Sequence, residues 1–129
     1  MKIEHIAIWC KDLEKMKEFY KKYFKMSSGE KYFNPKKNFS SYFLSFDGGA
    51  SRIELMHSPY IVALKEEHGK YLGITHLAIS VGSKEKVDLL TEELRSEGIR
   101  IVGEPRTTGD GYYESVIEDP EGNQIEITA

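Results

Sequence analysis

A chain of 129 residues, 40% hydrophobic and 30% charged, is predicted to fold as one globular domain; it is too short for a second and too apolar for a disordered or fibrous chain. Its formal charge of −3 leaves no basic excess to neutralise phosphates, which excludes nucleic acid as an expected partner. No apolar run approaches the roughly 20 residues of a membrane span, residues 1–8 carry Glu4 and His5 where a signal peptide has its apolar core, and the single Cys10 has no disulfide partner; the expectation is a cytoplasmic protein, off the membrane, with a buried thiol.

In chain order, His5-Ile6-Ala7-Ile8 opens a strand, and Asp12 is the N-cap of a helix whose apolar face is Met16, Phe19, Tyr20, Tyr23 and Phe24. Lys31, Lys36 and Lys37 near Pro35 read as a solvated loop. Phe39 to Phe46 is rich in aromatic residues and reads as a strand. The turn Asp47-Gly48-Gly49 then leads into a strand containing Arg52-Ile53-Glu54. Residues 59–72, with Pro59 and Gly69, form a crossing, with a helical turn around Leu64 to Glu67. After it the pattern returns. His76-Leu77-Ala78-Ile79 matches His5-Ile6-Ala7-Ile8 at an offset of 71 residues, Ser83 stands as a second N-cap, and Val87, Leu90 and Leu94 repeat the helix face. Arg100 to Val102 and Tyr112 to Glu118 read as strands, with Gly109-Asp110-Gly111 as a flexible turn before the latter. Asp119-Pro120-Glu121-Gly122-Asn123-Gln124-Ile125-Glu126 matches Asp47 to Glu54 at an offset of 72. Each half is therefore predicted to be βαβββ, within a single α+β domain of repeat one (about 1–58), the crossing and repeat two (about 73–129).

Strand side chains alternate between faces, so residues of like parity share an environment. In the first strand Ile6 and Ile8 face the helix and His5, Ala7 and Trp9 the other way; Ile53 and Leu55 oppose Arg52, Glu54 and Met56. The second half repeats this, with Leu77 and Ile79 against His76 and Ala78, and Ile125 and Ile127 against Gln124 and Glu126. A pseudo-twofold axis relating the halves predicts that His5, Glu54, His76 and Glu126 meet on facing concave sheets. Neutral imidazoles with carboxylates suit one borderline divalent ion such as Zn, Ni, Mn or Fe(II), with two octahedral positions left for a substrate's paired oxygens.

These residues carry a family resemblance. His5, Glu54 in Arg-Ile-Glu-Leu, His76 in Thr-His-Leu-Ala-Ile-Ser-Val and the block Asp119 to Glu126 resemble the vicinal-oxygen-chelate superfamily, which includes glyoxalase I, extradiol dioxygenases and fosfomycin-resistance enzymes. The resemblance covers nearly the whole chain and implies paired βαβββ modules making a cupped mixed sheet around a metal, often in a homodimer. Glu54 resembles glyoxalase I in particular, whose metal is held by two His and two Glu. It implies a lyase or isomerase, with Zn or Ni the foremost metals, that acts on a small α-hydroxycarbonyl or hemithioacetal through a metal-bound enediolate, with Glu126 or Glu54 as the base. The glyoxalase I pattern that grips glutathione, an Arg four residues past the first His and an Asn four past the first Glu, is replaced here by Trp9 and Ser58. Two alternatives share the scaffold: a metal-free small-molecule binding or resistance protein, and an Fe(II) extradiol-type dioxygenase.

Around the quartet, Trp9, Arg52, Met56 and Tyr113 are candidate pocket residues. Phe43 and Tyr112 are further aromatic candidates, although aromatic residues in strands more often belong to a core. Arg52 shares parity with Glu54, so it suits either a substrate anion or a glutamate partner. His57 and His68 fit no ligand pattern and are assigned to surface or packing roles.

Overall fold

The computed structural model describes residues 2–62 and 73–129, and the chain divides into two compact units, Met1–Lys65 and Glu66–Ala129. The expected helical turn at Leu64 to Glu67 and the position of His68 lie outside the described residues. Unit one runs β1 (His5–Trp9), α1 (Leu13–Phe24), β2 (Ser27–Ser28), β3 (Tyr32–Asn34), β4 (Phe39–Ser45) and β5 (Arg52–His57). Unit two runs β6 (His76–Ser80), α2 (Lys84–Ser96), β7 (Ile101–Thr107), β8 (Tyr113–Glu118) and β9 (Gln124–Thr128). The fold is α+β, with one mixed sheet in each unit.

The sheets are built to one plan. In unit one the order is β1-β5-β4-β2, with β3 also paired to β4; in unit two it is β6-β9-β8-β7. The first strand of each unit pairs in parallel with the last, and the remaining pairs are antiparallel. Unit two matches the expected βαβββ. Unit one adds a short strand, because β2 and β3 take separate stretches of β4, opposite its Leu44–Ser45 and Phe39–Ser41 ends. The strand expected at Arg100 to Val102 runs on as β7 through Gly103 and Pro105. Both residues are tolerated because β7 is an edge strand whose register shifts on either side of Gly103.

Both helices form where spacing and caps require. The Asp12 side chain accepts from the Lys15 N–H at 2.9 Å, and that of Ser83 from the Lys86 N–H at 3.3 Å. Gly98, at φ 78°, closes α2, and the Ile99 N–H donates to the Leu94 carbonyl at 3.0 Å. Helix α1 buries Leu13, Met16, Phe19, Tyr20, Tyr23 and Phe24. Helix α2 buries Val87, Thr91 and Leu94, and Leu90 is only half-buried. Thr91 reaches the core because its hydroxyl is satisfied twice, by the Val87 carbonyl at 2.6 Å and the Ser115 hydroxyl at 2.7 Å. In the first turn of α1, the Tyr42 hydroxyl donates to Glu14 at 3.0 Å. Lys17, Lys31 and that hydroxyl together hold the Glu14 carboxyl down at about 2, so it is charged at neutral pH.

The block Asp119 to Glu126 is turn chemistry that delivers a strand. Asp119 is buried and accepts from the N–H of Glu121 at 2.9 Å, the N–H of Asn123 at 3.0 Å and Asn123 Nδ2 at 2.8 Å. Gly122 takes φ 88°, which an L side chain resists. This ties the end of β8 to the start of β9 and fixes the register that pairs Val116 with Glu126. Asp119→Ala strips a buried acceptor from three donors and is expected to lower stability by about 2–3 kcal/mol in urea unfolding. A loss below about 0.5 kcal/mol would show the turn to be held by its backbone hydrogen bonds, Asp119 N–H to the Asn123 carbonyl and Gly122 N–H to the Asp119 carbonyl, without the side chain.

Candidate metal centre

Each unit places one imidazole beside one carboxylate, on the sheet face opposite its helix. In unit one, Ile53 and Leu55 are buried beneath α1 while His5, Glu54 and Arg52 lie on the other face. His5 stands opposite Arg52 in the parallel ladder and Ala7 opposite Glu54, which sets the imidazole diagonal to the carboxylate. His5 Nε2 is 3.7 Å from Glu54 Oε2. Unit two repeats the register, His76 opposite Gln124 and Ala78 opposite Glu126, and His76 Nε2 is 3.3 Å from Glu126 Oε2.

The donor chemistry fits a cation. Two ligand atoms each about 2.1 Å from one ion stand roughly 2.9–3.5 Å apart when adjacent, and the two pairs are at or just beyond that spacing. Beside the unit-two pair, Thr128 Oγ1 is a buried oxygen without a hydrogen-bond partner, and Thr128 lines the same hollow as His76 and Glu126. Among the described residues no group of three or more His, Cys, Asp or Glu side chains is gathered for a metal. The expected quartet is therefore present as two equivalent pairs, one in each unit.

The surroundings of the pairs differ. Arg52 does take a glutamate partner, with Nη2 donating to Glu4 Oε1 at 2.5 Å, and its guanidinium lies 4.0 Å over the Phe43 ring. Phe43 meets the His5 ring edge-on at 5.3 Å. Glu4 also accepts from His5 Nδ1, a contact that composition and parity did not single out because Glu4 precedes the strand. The His5 hydrogen bond, followed by Arg52, holds the Glu4 carboxyl below its ordinary range. His57 turns out to be structural, its Nδ1 donating to the Cys10 carbonyl at 2.8 Å, and Cys10 is buried as expected.

In unit two, a hollow of about 430 Å³ opens beside the pair, lined by His76, Glu126, Thr108, Asp110, Tyr112 and Glu114 among others. The 109–111 turn thus supplies part of the rim. Glu114 is buried, with Arg106 Nη2 at 3.4 Å; the Thr108 hydroxyl bonded to Asp110 keeps that carboxyl below its ordinary range. Tyr113, expected in the pocket, is on the opposite face. Its hydroxyl donates to Asp88 of α2 at 2.7 Å and Lys84 lies over its ring, so Tyr112 takes the place at the hollow. Unit one has its own hollow of about 380 Å³, lined by Trp9, Ser58, Tyr60, Ile61 and Val62. Trp9 is half exposed there, with its ring edge against Phe39. Met56 is half-buried on the same face, opposite Trp9 on one side and Ser41 on the other.

Comparison with known proteins agrees with the fold. The family model described as Glyoxalase/Bleomycin resistance protein/Dioxygenase superfamily matches residues 2–127. A glyoxalase family protein from Enterococcus faecalis superposes with a TM-score of 0.80 at 25% identity, over 99% of this chain and 97% of that one. Two others share the fold at lower identity. The trypanothione-dependent glyoxalase I of Leishmania major matches at a TM-score of 0.78 and 22% identity, over 99% of this chain and 86% of that one. Glyoxalase I from Zea mays matches at 0.78 and 24%, over 98% of this chain but only 44% of the maize chain. No curated protein matches the chain. Among the described residues no helix is long and apolar enough to cross a membrane.

Proposed function

The chain belongs to the Glyoxalase/Bleomycin resistance protein/Dioxygenase superfamily, and on that premise we propose that it is a metal-dependent enzyme of glyoxalase I type, a lyase or isomerase acting on a small α-hydroxycarbonyl or hemithioacetal. The observation that carries this reading is the His/Glu pair repeated in the same register in both units. His5 and Glu54 with His76 and Glu126 would hold one divalent ion, Zn or Ni foremost and Mn or Fe also suited to the donors. The two pairs would be joined within one chain or across a homodimer. When bound, the cation supplies positive charge to adjacent substrate oxygens, the main electrostatic contribution to such chemistry. Glu126 or Glu54 acts as the base, taking a proton from the carbon beside the carbonyl and returning it to the neighbouring carbon. The carboxylates of the unit-two hollow favour an uncharged polar substrate over an anionic one. Trp9 and Ser58, where the glyoxalase I pattern grips glutathione, both line the unit-one hollow, which suits an apolar substituent better than a peptide's carboxylates.

That apolar hollow also favours a second reading, a metal-free protein that sequesters an apolar ligand. Protein purified without chelators is expected to retain about one metal ion per chain. It should isomerise hemithioacetals of simple α-ketoaldehydes with small thiols, lose the activity to a chelator and regain it with Zn or Ni. Less than about one ion per two chains, with no activity on reloading, would favour the sequestering protein. Oxygen uptake with catechols would instead indicate ring-cleaving dioxygenase chemistry.

A further inference from the structure

The two units repeat each other closely, and one difference between them falls beside the histidines. Glu4 precedes His5, whereas Thr75 precedes His76. Opposite the histidine, on the neighbouring strand, stand Arg52 in unit one and Gln124 in unit two. In unit one these replacements close a chain of contacts. Arg52 donates to Glu4, Glu4 accepts from His5 Nδ1, and His5 Nε2 is left facing Glu54. The chain is anchored at its far end, since Arg52 lies over Phe43 and its backbone N–H donates to the Glu4 carbonyl at 2.9 Å. Neither Thr75 nor Gln124 offers His76 a carboxylate.

A carboxylate only accepts, so Nδ1 must be the nitrogen that carries the proton, and a neutral His5 then has its lone pair on Nε2, the atom aimed at Glu54. We propose that Glu4, clamped by Arg52, is a positioning residue that locks His5 into the Nδ1-protonated tautomer and so presents Nε2, lone pair outward, beside Glu54. A carboxylate behind a ligating imidazole fixes its ring orientation and raises its basicity. The role of the ligand rests on the function proposed above; the tautomer is a property of the metal-free chain.

The test compares wild type, Glu4→Leu, Glu4→Gln and, as a control, Thr75→Val. Imidazole nitrogen NMR of the metal-free proteins at about pH 8.5, where histidine is neutral, reads the tautomer, and Zn(II) titration against a chelating dye reads affinity. The expectation is an Nδ1–H tautomer for His5 in wild type and a mixed or Nε2–H population in Glu4→Leu, with Zn(II) affinity about 10–100-fold weaker. Glu4→Gln, whose amide oxygen still accepts, should recover most of both, and Thr75→Val should change neither. An unchanged His5 tautomer in Glu4→Leu, or a changed tautomer with affinity within about twofold of wild type, overturns the proposal. A stability loss with an unchanged tautomer would show Glu4 to be merely structural. Wild type that binds no Zn(II) would sink the metal-enzyme reading instead, and the tautomer comparison would still decide whether Glu4 positions His5.

Discussion

Glu126→Gln is expected to lower kcat by about 10²–10⁴-fold, the range associated with removing a positioned general base, while leaving the thermal midpoint close to that of wild type. The second half of the expectation comes from the structure. Glu126 lies on the face of β9 away from α2, between the buried residues Ile125 and Ile127, and its backbone is paired on both sides, to Ala78 and to Val116. Gln keeps the shape and one oxygen acceptor but cannot take a proton at neutral pH. A parallel measurement on Glu54→Gln assigns the base, because the two glutamates occupy equivalent positions and only their surroundings differ. Glu126 borders the hollow that also contains Asp110, Tyr112 and Glu114, whereas Glu54 sits between His5 and Phe43. The larger kcat loss is therefore expected for Glu126. Metal content must be measured on both variants, since a change confined to KM or to metal occupancy would make that residue a ligand without a part in proton transfer.

The repeated halves were legible in the sequence because the signals are redundant: caps at Asp12 and Ser83, helical spacing behind them, and strand parity separating Ile53 and Leu55 from Glu54, and Ile125 and Ile127 from Glu126. Parity within each half suffices to put His and Glu on one face, and the side-chain distances agree with it. Convergence of the two pairs is a property of tertiary arrangement, which no local pattern encodes. The misreadings have local causes. Gly103 and Pro105 punctuate most strands but not an edge strand with shifted register. Leu90, expected on the buried helix face, is only half-buried, and Thr91 is buried beside it because its hydroxyl and that of Ser115 satisfy each other. Tyr112 and Tyr113 are adjacent and therefore point to opposite sides of the sheet: Tyr112 shares the parity of Glu114 at the hollow, and Tyr113 that of Ser115 and Ile117 beneath α2. Glu4 matters only through its contacts with His5 and Arg52, and an exposed glutamate ahead of a strand carries no signature of such contacts.

Leu55→Ala is expected to cost about 2–5 kcal/mol of stability, the range for emptying a fully buried leucine site, and yet to leave cation binding by the folded protein within about threefold. Leu55 has no exposed surface, and in the ladders it lies opposite Ile8 in β1 and Tyr42 in β4, on the face that packs against α1. A cavity there loosens the helix-to-sheet contact. Glu54 points the other way, and its position is set by backbone pairing to Ala7 and Phe43, which the substitution leaves in place. Stability and site should therefore separate. In urea unfolding with and without saturating Zn(II), wild type and Leu55→Ala should gain the same increment from the ion, because that increment depends only on its concentration relative to Kd. If the increment disappears in Leu55→Ala while Glu54 is unaltered, the face carrying His5 and Glu54 is not held by the strand ladder but by packing from behind, and the independence of the two faces on which the proposed site relies would be lost.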